Sequence, residues 1–386
     1  MSVRKRKWIT SAGEPKEAWV VDYHDQAGAR HIETFAKKKE ADARHAEVRV
    51  DVKAGVHVAP SKSITLKEAG ENWIEAAEHE LERTTVDQYR QHLKFHLLPF
   101  IGAQKLTDIT TDAVLCLEAR LRKEGRSKVM VRKVLVSLGS ILGHAQLRKQ
   151  VGHNAVRDLR RQRGRNKANA VKREKEKLEI GKHIPSPTEV AAILAHAKGH
   201  WRPLLVTAAF TGLRASELRG LRWSDVDLKK HELHVRQRAD RYNIIGLPKA
   251  DASKRVVPFG KVVANTLKEW KLQCPHGELV FPNGKGKVEY HTHIVNRGFI
   301  PAQIAAGVIT RDGKAKYTGL HALRHFYASL CINSREDGGL GLLPKSVQER
   351  LGHSSITMTY DRYGHLFPRG DDSKLLDAVE GALIAT

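Results

Sequence analysis

The stretch from Arg157 to Lys182 constrains the fold more than any other part of the chain. It holds Arg160, Arg161, Arg163, Arg165, Lys167, Lys172, Arg173, Lys175 and Lys177, and very little that is apolar. Such a segment has no hydrophobic face to bury, so it cannot lie inside a core. It reads either as a charged linker between domains or as an exposed helix end; a basic linker over 161–183 is the expectation. In both readings the chain divides there, and each side builds its own core. With 386 residues, 41% of them apolar, there is material for that.

Before this divide, residues 1–57 read as a small α+β module. Trp8-Ile9, Trp19 to Tyr23 and Arg30 to Phe35 have strand character, with turn residues between them, and Lys37 to Val50 reads as a charged helix. Gly55 to Ser63 reads as a linker. Residues 64–160 read as an all-α domain. Thr65-Leu66-Lys67-Glu68 resembles a capping box. A second helix starts near Thr84 and is expected to stop near Leu98-Pro99. A third runs from Thr110 or Thr111 to Lys123. A fourth, Lys128 to Leu147, carries Val131, Val134, Leu135, Leu138, Ile141 and Leu142 at helical spacing.

Beyond the divide, residues 184–386 read as a mainly α domain with a small sheet. Ser186-Pro187-Thr188-Glu189 is a helix start. Glu232 to Arg236 and Arg255 to Pro258 read as strands. Helices are expected at 203–210, 262–270, 294–306, 320–331, 345–351 and 357–363. The tail places Leu375, Leu376, Val379 and Leu383 on one stripe, to pack on its own domain or on a neighbouring subunit.

Lys and Arg number 67 against 43 Asp and Glu, a formal net charge of +24. An excess of that size points to a polyanion, most simply nucleic acid. No apolar run approaches the ~20 residues of a membrane span, and no membrane partner is expected. The three cysteines, Cys116, Cys274 and Cys331, are scattered; they make neither a disulfide framework nor a four-Cys zinc site and fit a reducing cytoplasm. There is no Walker-type glycine loop and no acidic cluster for two metals, so no metal and no cofactor is expected.

Three stretches carry candidate chemistry. In His321-Ala322-Leu323-Arg324-His325, helical spacing projects His321, Arg324 and His325 together. In Thr211-Gly212-Leu213-Arg214-Ala215-Ser216-Glu217-Leu218, a glycine closes one helix and Arg214 opens the next turn. A guanidinium held there suits phosphate, because its planar fork gives two parallel charge-assisted hydrogen bonds; the alternative is a plain Arg214–Glu217 pair. From Leu351 to His365 a helix ends at Gly352, His353 sits in the break, and Tyr360 and Tyr363 follow.

Taken in order, Arg-x-x-Glu-Leu, His-x-x-Arg, Leu-Gly-His and Tyr-x-His resemble the catalytic domain of tyrosine recombinases, the phage-integrase family. The helical region resembles that family's core-site DNA-binding domain. Residues 1–57 more weakly resemble its arm-site-binding module. The resemblance implies that Arg214 and Arg324 clamp a scissile phosphate, that His321 and His353 are the intervening histidines, and that Tyr363 is the nucleophile. It assigns Lys249 as the catalytic lysine and Glu217 as the acidic support. Tyr360 competes with Tyr363, and Lys254 with Lys249. The chain departs from the family in two places: Tyr363 lies one residue further from His353 than in many members, and Asn154-Ala155 replaces a frequent Asn-Pro.

The implied function is a site-specific recombinase of a phage or mobile element. It would cut and rejoin double-stranded DNA at core-type and arm-type sites through a 3′-phosphotyrosyl link, as a homotetramer near the nucleoid of a bacterial host. Accessory DNA-bending or directionality factors are further partners. Candidate DNA contacts are Arg4, Lys5, Arg6 and Lys7; Arg126, Lys128, Arg132 and Lys133; and Arg160, Arg161, Arg163 and Arg165. A type IB topoisomerase-like enzyme and a non-catalytic DNA-binding protein on the same fold are the alternatives.

Overall fold

A computed structural model describes the chain except residues 10, 12–13, 167–176, 249–252, 369–375, 378, 381, 383 and 385–386. Lys249, Leu375 and Leu383 lie outside the described residues. The chain forms two units, Met1–Lys172 and Arg173–Thr386.

The first unit opens with an antiparallel meander of β1 (Ser2–Ile9), β2 (Pro15–His24) and β3 (Arg30–Phe35), followed by α1 (Lys38–Lys53). Val21 and Tyr23 of β2 meet Ala41 and Val48 of α1 in a small core. The expected linker after α1 is not free. His57 is buried, with Nε2 2.9 Å from the Tyr23 hydroxyl, which itself donates to Glu33. Gln26 donates to the His57 carbonyl and Lys62 pairs with Asp25. On the other side Lys105 donates to the Pro60 carbonyl at 2.6 Å. Polar residues that read as linker in one dimension are here the stitching between module and helices.

The helical part holds α2 (Leu66–Glu80), α3 (Arg83–His92), α4 (Leu98–Ile101), α5 (Thr111–Lys123), α6 (Lys128–Leu147) and α7 (Ala155–Asn166). Thr65 and Glu68 form the expected reciprocal cap. The stop expected at Leu98-Pro99 does not occur. A wide turn, Leu93–Leu97, leads straight into α4, where Pro99 sits in the first turn and its missing N–H costs nothing. The six apolar positions of α6 named above are all buried.

The expected linker also begins differently. Asn154 accepts from the Arg157 N–H and donates to the Gly139 carbonyl. Ala155, Val156 and Leu159 then join the core. The basic run therefore starts as the exposed end of α7, the second of the two readings, because three apolar residues and one capping asparagine suffice to seat it.

In the second unit α8 (Pro187–His196), with Ser186 and Glu189 as its capping box, precedes the almost wholly buried α9 (Trp201–Thr211). After α10 (Ala215–Arg219), β4 (Val226–Asp227), β5 (Glu232–Val235) and β8 (Arg255–Pro258) make an antiparallel sheet with Leu233 opposite Val257. A small β6–β7 pair (Arg238–Ala239, Ile245–Gly246) lies between β5 and β8 in sequence. Next come α11 (Lys261–Gln273), α12 (His291–His293), α13 (Ile300–Ala305), α14 (His321–Ile332), α15 (Pro344–Leu351) and α16 (Ile356–Tyr363). One face of α14 completes the main core with Leu323 and Phe326. Its far end builds a second core with α15 and α16, from Tyr327, Cys331, Val347, Leu351 and Tyr363. In the tail, Leu376 and Val379 are exposed.

Candidate active site

Two glycine-ended helices and one arginine-bearing helix meet at a single cavity. α9 ends at Gly212 in the left-handed region, φ 60°, and a Cβ there would lie 2.3 Å from the Tyr327 ring. Glycine is therefore required on both counts. The chain turns sharply and delivers Arg214 to the start of α10. Glu217 accepts the Arg214 backbone N–H at 2.9 Å and its Nη1 at 2.7 Å, and Arg214 Nη2 donates to the Gly352 carbonyl at 2.7 Å. The plain Arg214–Glu217 pair thus forms, and it aims the guanidinium as well.

Arg324 comes from α14 and is 2% exposed. Nη1 donates to the Gly212 carbonyl at 2.7 Å and Nη2 to the Leu351 carbonyl at 2.6 Å. These are helix-terminal carbonyls, which have no partner inside their own helices. The guanidinium is held between two helix ends whose dipoles favour positive charge.

α15 ends at Gly352, φ 63°, and releases His353 into the break. His353 Nδ1 lies 2.9 Å from the Thr359 hydroxyl, and its ring is parallel to that of Tyr363 with centroids 6.2 Å apart. Tyr363 ends α16 and is 1% exposed. Its hydroxyl is 2.7 Å from Nδ1 of His325, whose ring meets His321 edge-on at 4.6 Å. Arg214, His321, Arg324, His325, His353 and Tyr363 line a common open cavity of about 680 Å³.

Burial sets the protonation states. It lowers His325 to about 3 and His321 and His353 to about 4, helped by nearby positive charge, so all three are neutral at pH 7. It lowers Arg324 to about 10, still charged. It raises Tyr363 to about 12, against the pull of Arg324 and Arg362. Burial also opposes the Glu217 carboxylate, but Arg255 and Arg214 outweigh it and hold the group below its usual range. The result is a pocket with two fixed cations, neutral imidazoles and a protonated phenol. It is suited to an oxyanion that gains charge as a bond to the phenol forms.

Residues 186–369 match the model of the phage integrase family, and residues 66–162 match that of the phage integrase central domain. A tyrosine recombinase XerC-like protein of Caldanaerobacter subterraneus is 25% identical, over 95% of this chain and 96% of that protein. The ICEBs1 integrase of Bacillus subtilis is 25% identical over 72% of this chain and 74% of its own length. Among solved structures, the Tn1549 transposon integrase in complex with a circular intermediate DNA superposes with a TM-score of 0.63 at 17% identity, covering 82% of this chain and 99% of that one. A lambda integrase tetramer bound to a Holliday junction gives 0.57 at 18%, over 91% of this chain and 96% of that one. The chain belongs to the tyrosine recombinase family. Members of this family, also called phage integrases, are DNA breaking-rejoining enzymes, and this chain is a site-specific recombinase. Its fold is the multidomain one of the family, mainly helical with small antiparallel sheets.

Within this recombinase, five residues of the expected catalytic set, Arg214, His321, Arg324, His353 and Tyr363, line one cavity, with Glu217 behind Arg214. Lys249 is outside the described residues, and its competitor Lys254 is exposed. Tyr360, the competing tyrosine, is 52% exposed and lies against Phe367. Two residues at the site stand outside the expected catalytic set. Helical spacing puts His325 beside His321 and Arg324, but its contact with Tyr363 has no local signal in the sequence. Arg255, at the start of β8, pairs with Glu217 and donates to the Arg350 carbonyl.

The candidate DNA contacts divide. On β1, Arg4 pairs with Asp22, and Lys5 and Lys7 pair with Glu17, while Arg6 is exposed. Arg126, Lys128, Arg132 and Lys133 are exposed, with no ion pair among the described residues. On α7, Arg160 and Arg161 are exposed, Arg163 pairs with Glu118, and Arg165 falls in the last turn. Among the described residues no helix is long and apolar enough to cross a membrane, and no group of three or more His, Cys, Asp or Glu is placed to hold a metal ion.

Proposed function

We propose that this recombinase cuts double-stranded DNA with Tyr363 and rejoins it in a new partnership, integrating or excising a phage or mobile element. The observation that carries this reading is the Tyr363 hydroxyl in the same cavity as the guanidinium groups of Arg214 and Arg324. Those two arginines hold the non-bridging oxygens of the scissile phosphate and stabilise the charge that builds there. The phenolic oxygen forms a bond to phosphorus as the bond to the 5′-oxygen breaks. The phenol proton passes to a neutral imidazole of the site, and Lys249 returns a proton to the leaving 5′-oxygen. One phosphoester replaces another, so resealing is the reverse step and needs no ATP.

Exposed cations on α6 and α7 would grip the remaining phosphates, and the N-terminal module would read arm-type sites. Four copies would act together, as lambda integrase does on its Holliday junction, with DNA-bending or directionality factors as accessory partners near the nucleoid of a bacterial cell.

A nicked suicide substrate carrying the element's own core site tests this. Wild type is expected to form a covalent adduct that survives denaturant. Tyr363→Phe is expected to form none, while Tyr360→Phe forms it normally. An adduct that persists in Tyr363→Phe and vanishes in Tyr360→Phe overturns the assignment. Relaxation of supercoiled DNA without exchange between two marked sites would identify a topoisomerase instead.

A further inference from the structure

The last carbonyls of α15 are taken by three different arginines. Arg255 Nε donates to the Arg350 carbonyl at 2.7 Å, Arg324 to Leu351 at 2.6 Å, and Arg214 to Gly352 at 2.7 Å. Arg214 and Arg324 also line the cavity; Arg255 is not among its lining residues, and its side chain is 6% exposed. The remaining donors of Arg255 point elsewhere. Nη1 and Nη2 reach the two oxygens of Glu217 at 3.2 and 2.9 Å, and Nη1 also donates to the Ser253 carbonyl at 3.0 Å. The fit is tight, since a Cβ on Gly352 would come within 2.8 Å of Arg255 Nη1.

Charge explains what this third arginine does. Glu217 aims Arg214, but a carboxylate at 2.7 Å also cancels the charge it aims. An Arg214–Glu217 pair alone is neutral and offers little to an anion. With Arg255 on the far side of the carboxylate, the group of three carries one net positive charge. Its outer member is Arg214, at 32% side-chain exposure against 3% for Glu217. We infer that Arg255 is a positioning residue that neutralises Glu217 from behind, so that Arg214 is held in place and still presents its charge to the scissile phosphate. This rests on the strand-transfer reading above.

The test uses full-length protein on the suicide substrate at saturating DNA, with the dissociation constant measured alongside. Arg255→Met leaves a neutral Arg214–Glu217 pair and is expected to slow adduct formation on the order of 10²-fold, with little change in binding. Adding Glu217→Gln restores the net charge of the group to that of wild type while keeping a hydrogen-bonding partner for Arg214. The double variant is therefore expected to recover to within about tenfold of wild type, on the same 10²-fold scale for one lost electrostatic contact. A purely structural role predicts the opposite, a further loss on the second substitution. If Arg255→Met does not fold, the double variant decides alone, since it holds no uncompensated buried carboxylate. Adduct formation by Arg255→Met at the wild-type rate, or a double variant slower than Arg255→Met or slowed a hundredfold or more on that scale, overturns the inference and leaves the strand-transfer reading standing. No adduct from wild type overturns both.

Discussion

Arg324 and Arg132 carry the same charge on helices of different units. Arg324 is 2% exposed and donates to the carbonyl ends of two other helices. Arg132 stands in solvent on α6, beside Lys128 and Lys133. A buried guanidinium pays its desolvation once, at folding, and is then fixed where a developing charge will meet it. A solvated one keeps its freedom and acts through screened, additive attraction. In the proposed reaction the first kind would raise the rate of the chemical step, and the second would raise affinity and make it depend on salt.

The strongest way to break this contrast is Arg324→Lys. Lysine keeps the charge but not the fork, so it cannot reach both the Gly212 and Leu351 carbonyls in the same geometry. Adduct formation is expected to fall on the order of 10²–10³-fold, with DNA affinity almost unchanged. An equal loss of both would erase the distinction. The converse is Arg126, Lys128, Arg132 and Lys133 changed together to Ala. Binding is expected to weaken, and the slope of log K against log salt to shrink by about 0.9 for each phosphate contact removed. The cleavage rate at saturating DNA should hold. An unchanged slope would take these residues off the DNA.

The smallest effect is on stability against pH. His325 and His353 fold with pKa values of about 3 and about 4, below the ordinary 6.5. Below about 6.5 the unfolded chain takes up protons that the folded site refuses, so stability is whole above that value and is lost as pH falls toward 4. The unfolding midpoint is expected to drop between pH 7 and pH 5, at roughly 2–4 °C per kcal/mol lost. His325→Gln should flatten the curve, and the fourfold α6 variant should not. A flat wild-type curve would mean that the histidines are not held neutral by burial.

Much of this is legible in the sequence. The Thr65 and Ser186 caps, the register of α6, and the helix from His321 follow from patterns spanning one or two turns. The ordered motifs brought five cavity residues onto one list. Other features were not legible. Gly55 to Ser63 read as a linker because polarity does not reveal that His57 has Tyr23 as a partner. Leu98-Pro99 read as a stop because proline tolerance depends on whether its N–H is needed. Arg255 read only as the start of a strand.

The sequence by itself determined most of the elements, the apolar faces on which separate cores are built and the set of side chains from which a phosphoryl-transfer site can be made. Helical period, caps and apolar spacing are interactions among near neighbours, and those are written in order along the chain. Only the tertiary structure decided how the charges are used. His325 meets Tyr363 across 38 positions, Arg255 meets the Arg350 carbonyl across 95, and Arg214 meets the Gly352 carbonyl across 138. The arginine bonds exist because packing brings the ends of α9 and α15 together and leaves their last carbonyls to be filled by side chains from elsewhere in the chain. Which arginine fills which carbonyl is a matter of ångströms in the folded core.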